Sequence, residues 1–263
     1  MKNKKLKIIY EDKYILIINK PYKLLTISNG VEKENTLYHL VLLYLKRKNK
    51  NNKVFIVHRL DYDTSGLIIF AKDPKTKLIM QNNWNRVIRK YLAILNGNLT
   101  KEKGIIKSYL KETKTNLVYS TSDSKNGLLA ITKYRKILNK NNLSLVDIEI
   151  NTGRKNQIRV HMKDLGNPIL GDKKYGPKTN EKIMYLCAYY LKFNHPITGN
   201  LIELELDIPN EFLTKFNWCK LKTFFIDNKC KEICRIIFII LCFYVVLLFK
   251  CVNQYVNKKI KIV

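Results

Sequence analysis

Two carboxylates, Asp61 and Asp63, stand in the stretch HRLDYDTSG, residues 58–66, with His58 and Arg59 before them and Thr64, Ser65 and Gly66 after. Three chemistries use such a pattern. A calcium loop of this spacing needs a glutamate at its last position, where Lys72 stands instead, so that reading fails. An aspartyl-phosphate enzyme wants an apolar strand running up to the first aspartate and a later acidic pair for Mg²⁺. Here His58 and Arg59 interrupt the approach, and no adjacent acidic pair follows downstream. The third chemistry is a carboxylate acting on a nucleoside, attacking a sugar carbon or stabilising an oxocarbenium-like centre, with arginines for phosphates and a tyrosine for the base. Beside these stands the ordinary fate of an aspartate next to Thr-Ser-Gly, which is to cap a turn. Spacing alone leaves the choice open.

The elements that must hold this loop are legible on either side. Residues 54–57 (VFIV) and 67–71 (LIIFA) are β-branched and aromatic runs expected to be short buried strands. A polar loop between rigid arms can hold a reactive group still. Upstream, residues 6–19 read as two strands around a turn at Glu11, Asp12 and Lys13, stopped by Lys20-Pro21. Residues 36–48 have helical apolar spacing, Thr36 as N-cap and Lys46, Arg47 and Lys48 in the last turn. Downstream, residues 73–87 read as a helix capped by Asp73-Pro74, then 89–96 as a strand closed by Gly97. Residues 104–142 alternate as half-exposed antiparallel strands, 143–150 is a strand, and 157–165 is a short helix presenting Gln157, Arg159 and His161. Residues 186–193 and 201–208 are the last strands. Many strands with a few helices, not in βαβ alternation, predict an α+β fold. The body is expected over residues 1–210, followed by a tail, 211–263, with an apolar segment at 236–249.

The 263 residues carry 49 Lys+Arg against 21 Asp+Glu, a formal net charge of +28. Such an excess points to a polyanionic partner, although lysine and asparagine abound everywhere in the chain, as compositional drift would also produce. An apolar content of 46% with 27% charged residues is that of a globular protein. Of six cysteines only Cys187 lies in the body, and the N-terminus lacks the pattern of a secretory signal. A disulfide framework is not expected, and a reducing cytoplasm is. Cys230 and Cys234 have no further cysteine or histidine pair nearby, which argues against zinc.

The stretch HRLDYDTSGLIIFAK resembles the signature H-R-L-D-x-x-T-S-G-L-x-x-x-A-K of the RluA-type pseudouridine synthases at every fixed position. Further blocks similar to that family follow in the family's order: DKYILIINKP before it, then RKYLAILNG, TGRKNQIRVHM, GNPILGDKKYG and LKFNHPITG. The similarity spans roughly the whole body and none of the tail. It implies a long, mixed, mainly antiparallel sheet in two lobes with a central cleft. It implies further that Asp61 is the catalytic aspartate, which attacks the ribose C1′ or promotes glycal formation while the uracil is released, turned and rejoined through C5. Tyr91 then matches the tyrosine that packs on the flipped base, and Arg159 the basic residue paired with the aspartate, whose charge keeps a carboxylate ionised. Arg59 matches the residue that fills the gap left by the extruded base, with phosphate contact as its other role. Thr64 shapes the loop, and Arg154 and Gln157 orient it or touch RNA. His58 is expected to be a structural hydrogen-bonding residue.

Two departures stand out. Asn156 and Cys187 occupy positions where the family commonly has histidine. Neither is the aspartate, the tyrosine or the basic partner, so the expected cost is in support of the site. The resemblance implies a structured rRNA or tRNA as partner, a monomeric enzyme, and no metal or organic cofactor, since the isomerisation is redox-neutral. The rival expectation is an RNA-binding or RNA-folding protein of the same fold that has lost catalysis. For residues 236–249 a membrane anchor competes with a docked helix and a poorly ordered extension, because a span needs about 20 apolar residues.

Overall fold

The computed structural model describes residues 6–28 and 30–216. The chain divides into two compact units, Met1–Phe212 and Leu213–Val263. The apolar segment at 236–249 lies outside the described residues. Among the described residues no helix is long and apolar enough to cross a membrane.

The first unit is α+β, built on one eleven-stranded sheet. The hairpin β1 (Lys7–Glu11) and β2 (Ile15–Lys20) turns where expected, because the Asp12 carboxylate accepts from the backbone N–H groups of Tyr14 at 2.7 Å and Ile15 at 2.8 Å. Helix α1 (Leu37–Lys48) begins at Thr36, whose hydroxyl accepts from the His39 N–H at 3.1 Å. The run at 54–57 pairs only over β3 (Phe55–Ile56), while β4 (Ser65–Ala71) is full length.

The segment at 73–87 departs from the single helix its sequence suggests. Helix α2 (Pro74–Asn82) ends at Asn83, whose side chain caps the Ile79 carbonyl at 2.9 Å, and a 3₁₀ turn at Trp84–Arg86 redirects the chain into β5 (Ile88–Asn96). Then come β6 (Lys103–Glu112), β7 (Val118–Thr121), β8 (Leu128–Lys140) and β9 (Leu143–Ile150). Helix α3 (Gln157–Asp164), β10 (Leu186–Asn194) and β11 (Leu201–Glu205) follow.

The strand order is β1-β2-β4-β10-β5-β9-β8-β6-β7, with β3 added on β4 and β11 on β10. All pairings are antiparallel except β4 with β10. The alternation of the strands separates two cores. Leu16, Ile18, Ile68, Phe70, Tyr91 and Ile148 lie in one, together with Leu37, Val41 and Leu45 of α1 and Ile158 and Met162 of α3. Ile15, Ile17, Leu67 and Ile69 lie in the other with Met80 of α2. Each fully buried leucine or isoleucine contributes about 2 kcal/mol.

Glu11 ties α1 to this sheet. Its carboxylate accepts from Lys48 and Lys72 Nζ at 2.8 Å each and from the Tyr44 hydroxyl at 2.7 Å. Burial alone would raise its pKa, but hydrogen bonds from Lys48, Lys72 and Tyr44 outweigh it and pull the group down to about 2. A carboxyl whose folded pKa is depressed stabilises the fold above its unfolded pKa, and that contribution is lost as pH falls through the folded value. Between about pH 4.5 and pH 2 the wild type is therefore expected to lose more stability than Glu11→Gln does, as read from urea midpoints across that range.

Candidate active site

Asp61 sits in the loop between β3 and β4, and the loop is gripped at the residues on either side of it. Leu60 is clamped by Thr26, whose hydroxyl donates to its carbonyl at 2.7 Å and accepts from its N–H at 3.2 Å. The Tyr62 carbonyl accepts from the buried ammonium of Lys20 at 3.3 Å and from the Leu24 N–H at 3.3 Å. The Thr64 N–H closes a turn onto the Asp61 carbonyl at 3.1 Å, placing Tyr62 and Asp63 at the turn positions. The Asp61 carboxylate itself makes no hydrogen bond or ion pair among the described residues, and it is half-buried. The Asp63 carboxylate of the same loop is likewise without a hydrogen bond or ion pair among the described residues, so the backbone grip leaves both acids uncommitted.

The sheet brings Tyr91 to this loop. Gly66 pairs with Ala188 of β10, and Ala188 pairs in turn with Tyr91 of β5. The approach at Gly66 is so close, with φ at +115°, that a Cβ there would meet the Ala188 carbonyl oxygen at 2.2 Å, so only glycine fits. Tyr91 is buried, and its hydroxyl makes no hydrogen bond among the described residues. Burial pushes its pKa up to about 12; the Arg89 guanidinium opposes the rise, while the charge of Asp61 and the Cys187 thiol add to it. At neutral pH the group is a phenol.

Arg159, on α3, is held from several sides. Its Nε and Nη2 donate to the two carboxylate oxygens of Asp172 at 2.8 and 2.7 Å, its Nη1 donates to Asn156 Oδ1 at 3.3 Å, and its guanidinium lies over the Tyr175 ring at 5.0 Å. Its hydrogen bonds thus run to Asp172 and not to Asp61. Burial disfavours the cation, but the hydrogen bond and charge of Asp172, followed by the charge of Asp61, raise the pKa of the pair's arginine. Asp61, Tyr91 and Arg159 therefore share one electrostatic neighbourhood without direct hydrogen bonds. Asp172 was not singled out in the sequence: it stands in a glycine-bounded loop, where an aspartate ordinarily serves the turn. It does that too, accepting from the N–H groups of Lys174 and Tyr175.

The remaining predicted residues divide into free and committed. Arg59 is exposed and makes no hydrogen bond or ion pair among the described residues. Arg154 is exposed and uses only its Nε, donating to the Leu129 carbonyl at 3.0 Å. Thr64 is buried behind the loop. Gln157 is also buried, and its amide is saturated: Oε1 accepts from the Thr152 hydroxyl and the Arg154 N–H, and Nε2 donates to the Ile131 carbonyl and the Thr132 hydroxyl. These bonds run to the 152–154 turn and to β8; none reaches the Asp61 loop, and none of the amide's capacity is left for RNA. Next to it, His161 bonds Thr132 through Nδ1 and Ser108 through Nε2, fastening α3 to the sheet as a ring that burial keeps neutral, its pKa lowered to about 4.

His58 is likewise structural. Its Nε2 accepts from the Ile69 N–H at 3.0 Å, its ring lies 4.4 Å from that of Trp84, and burial followed by the charge of Arg89 brings its pKa down to about 3. Asn156 adopts φ of +54° at the start of α3, a conformation asparagine tolerates, and its Nδ2 donates to the Tyr175 hydroxyl at 3.0 Å. At this position, where a histidine would be usual, the amide links Tyr175 to Arg159. Cys187 is buried, and burial raises its thiol to about 11, with a hydrogen bond to Ser65 opposing.

Residues 14–164 match the family model described as RNA pseudouridylate synthase. The chain is 40% identical over 213 residues to the ribosomal large subunit pseudouridine synthase C of Rickettsia typhi, covering 78% of this chain and 69% of that protein. It is 32% identical over 232 residues to the ribosomal large subunit pseudouridine synthase D of Haemophilus influenzae, covering 82% of this chain and 71% of that protein. Among solved structures, human RNA pseudouridylate synthase domain containing 4 shares the fold, with a TM-score of 0.66 at 23% identity over 79% of this chain and 90% of that one. With a family match over more than half of its length and relatives of this identity, the chain belongs to the RluA-type RNA pseudouridine synthases, isomerases that convert uridine in RNA to pseudouridine.

Proposed function

We propose that the protein isomerises specific uridines of large-subunit ribosomal RNA, with Asp61 as nucleophile, Tyr91 as proton carrier and Arg159 as the neighbouring cation. The observation that carries this reading is the uncommitted Asp61 carboxylate on a loop clamped at both neighbours, within the electrostatic reach of Tyr91 and Arg159. The ribosomal assignment is supported by the names of the relatives from Rickettsia typhi and Haemophilus influenzae.

The target nucleotide is extruded from its RNA, and Arg59, free at the rim of the loop, takes the vacated place. Asp61 forms a bond to C1′ as the N1–C1′ bond breaks and its electrons leave with the uracil. The base turns, C5 bonds to C1′, and the Asp61 ester bond breaks. Loss of the C5 proton and gain of one at N1 complete a reaction with no change in atoms or oxidation state. Tyr91 is suited to the proton steps because its hydroxyl has no competing partner.

The test is a chemical map of pseudouridine in a large-subunit rRNA transcript incubated with the purified protein. New pseudouridine at discrete positions is expected; a transcript left unmodified, with RNA binding intact, would instead support the catalytically silent RNA-binding reading. In the same assay Tyr91→Phe is expected to slow single-turnover formation roughly 10²- to 10⁴-fold, the usual worth of a positioned proton-transfer group, with little change in RNA affinity.

A further inference from the structure

Helix α1 carries two parallel stripes. Leu37, Val41 and Leu45 are buried in the core that also holds Leu60 and Tyr91. One residue further round, Tyr38, Leu42 and Lys46 form a second stripe of the same spacing. This second stripe faces the chain that returns from α1 to β3, and the two walls enclose a groove of about 670 Å³ lined also by Lys50, Lys53 and Phe55. The returning wall is fixed by its own hydrogen bonds: the Asn49 N–H and Asn52 Nδ2 both donate to the Leu45 carbonyl, at 3.1 and 2.9 Å.

The groove has an apolar floor carrying the Tyr38 ring, and a basic rim. Tyr38, Leu42 and Phe55 are half-buried, whereas Lys46, Lys50 and Lys53 are exposed and make no hydrogen bond or ion pair among the described residues. The lining contains no carboxylate. By contrast, Lys48, on another face of the same helix, is engaged by Glu11. The groove also adjoins the catalytic loop. The Tyr38 N–H donates to the Thr26 carbonyl at 3.0 Å, and Thr26 is the residue that clamps Leu60. Along the other wall, Phe55 precedes Asp61 in the chain by a distance of at most about 20 Å, at roughly 3.3 Å per residue.

We propose that this groove is an accessory RNA site that holds a single-stranded stretch flanking the target nucleotide. Tyr38 offers a ring face for a base, and the three lysines neutralise phosphates; the Phe55 ring packs on the opposite face of the sheet, against the core of Ile15, Ile17 and Met80. The proposal rests on the activity inferred above, which brings RNA to Asp61. That neighbour favours RNA over an acidic peptide.

Two variants of the full chain test it, with a fluorescent oligouridylate and the rRNA transcript as probes. Lys46→Gln/Lys50→Gln/Lys53→Gln is expected to flatten the dependence of log Kd on log salt for oligouridylate by about 2, three phosphate contacts at ~0.7 each. The same variant raises KM for the transcript more than it lowers kcat. Tyr38→Leu is expected to weaken oligouridylate binding about fivefold or more while leaving the salt slope as in the wild type. If the aromatic variant melts early, the lysine variant alone decides, since its three positions are exposed. An unchanged slope and KM in the lysine variant overturn the proposal, as does polyglutamate competing as well as oligouridylate of equal charge. A wild-type protein that binds oligouridylate and makes no pseudouridine overturns the proposed activity, and the slope still decides the groove.

Discussion

Replacing Asp61 by asparagine is expected to slow pseudouridine formation by about 10⁴-fold or more while leaving the fold as stable as the wild type. The first half follows from chemistry: an amide is a poor nucleophile and cannot replace the carboxylate that bonds to C1′. The second half follows from geometry. The wild-type carboxylate makes no hydrogen bond or ion pair among the described residues, so the isosteric amide breaks nothing, and a surface-like change within about 0.5 kcal/mol is expected. Single-turnover assays on the rRNA transcript and urea melts read the two halves separately. Substantial residual turnover in Asp61→Asn would remove it from the catalytic role, and a large loss of stability would contradict the uncommitted carboxylate.

Asp172→Ala has the opposite signature. The carboxylate is buried, and it is the ion-pair partner of a guanidinium that is itself almost enclosed. Deleting it strands a buried cation, which costs about 3–5 kcal/mol. For a protein of this size that is a fall in melting temperature on the order of 10 °C. Activity falls as well, because Arg159 loses the two bonds that aim it. The double variant Asp172→Ala/Arg159→Met is expected to recover part of the lost stability, since it removes the stranded charge, and none of the activity. Equal melting temperatures for the single and double variants would show that the pair is not the source of the loss.

These two residues mark where the sequence was readable and where it was not. The preference for Asp61 over Asp63 comes from the resemblance of one contiguous loop to the family signature, whereas the Thr36 cap, the Asp12 turn and the alternation of 143–150 are legible from local residues alone. Asp172 does its work across the fold, against Arg159, and nothing within its own loop distinguishes a turn aspartate from one that also neutralises a buried cation. Gln157 shows the same limit from the other side. Its type and position on α3 suit RNA contact, yet all its hydrogen-bonding capacity is spent on Thr152, Arg154, Ile131 and Thr132. The break at Asn83 was hidden because residues 73–87 carry no proline or glycine after Pro74 to stop a helix. What ends it is a side-chain cap and the need to enter β5.

The insertion of β10 between β4 and β5 has a consequence for the order in which the molecule comes into being. The strands that carry the Asp61 loop and Tyr91 do not touch each other; each is registered on Ala188, which is supplied nearly a hundred residues after Tyr91 in the chain. During synthesis the early strands emerge with unpaired edges facing a gap, and that gap closes only when Leu186–Asn194, near the end of the body, arrives. A nascent chain that stops short of Leu186 holds Asp61, Tyr91 and Arg159 and still has no strand to align them.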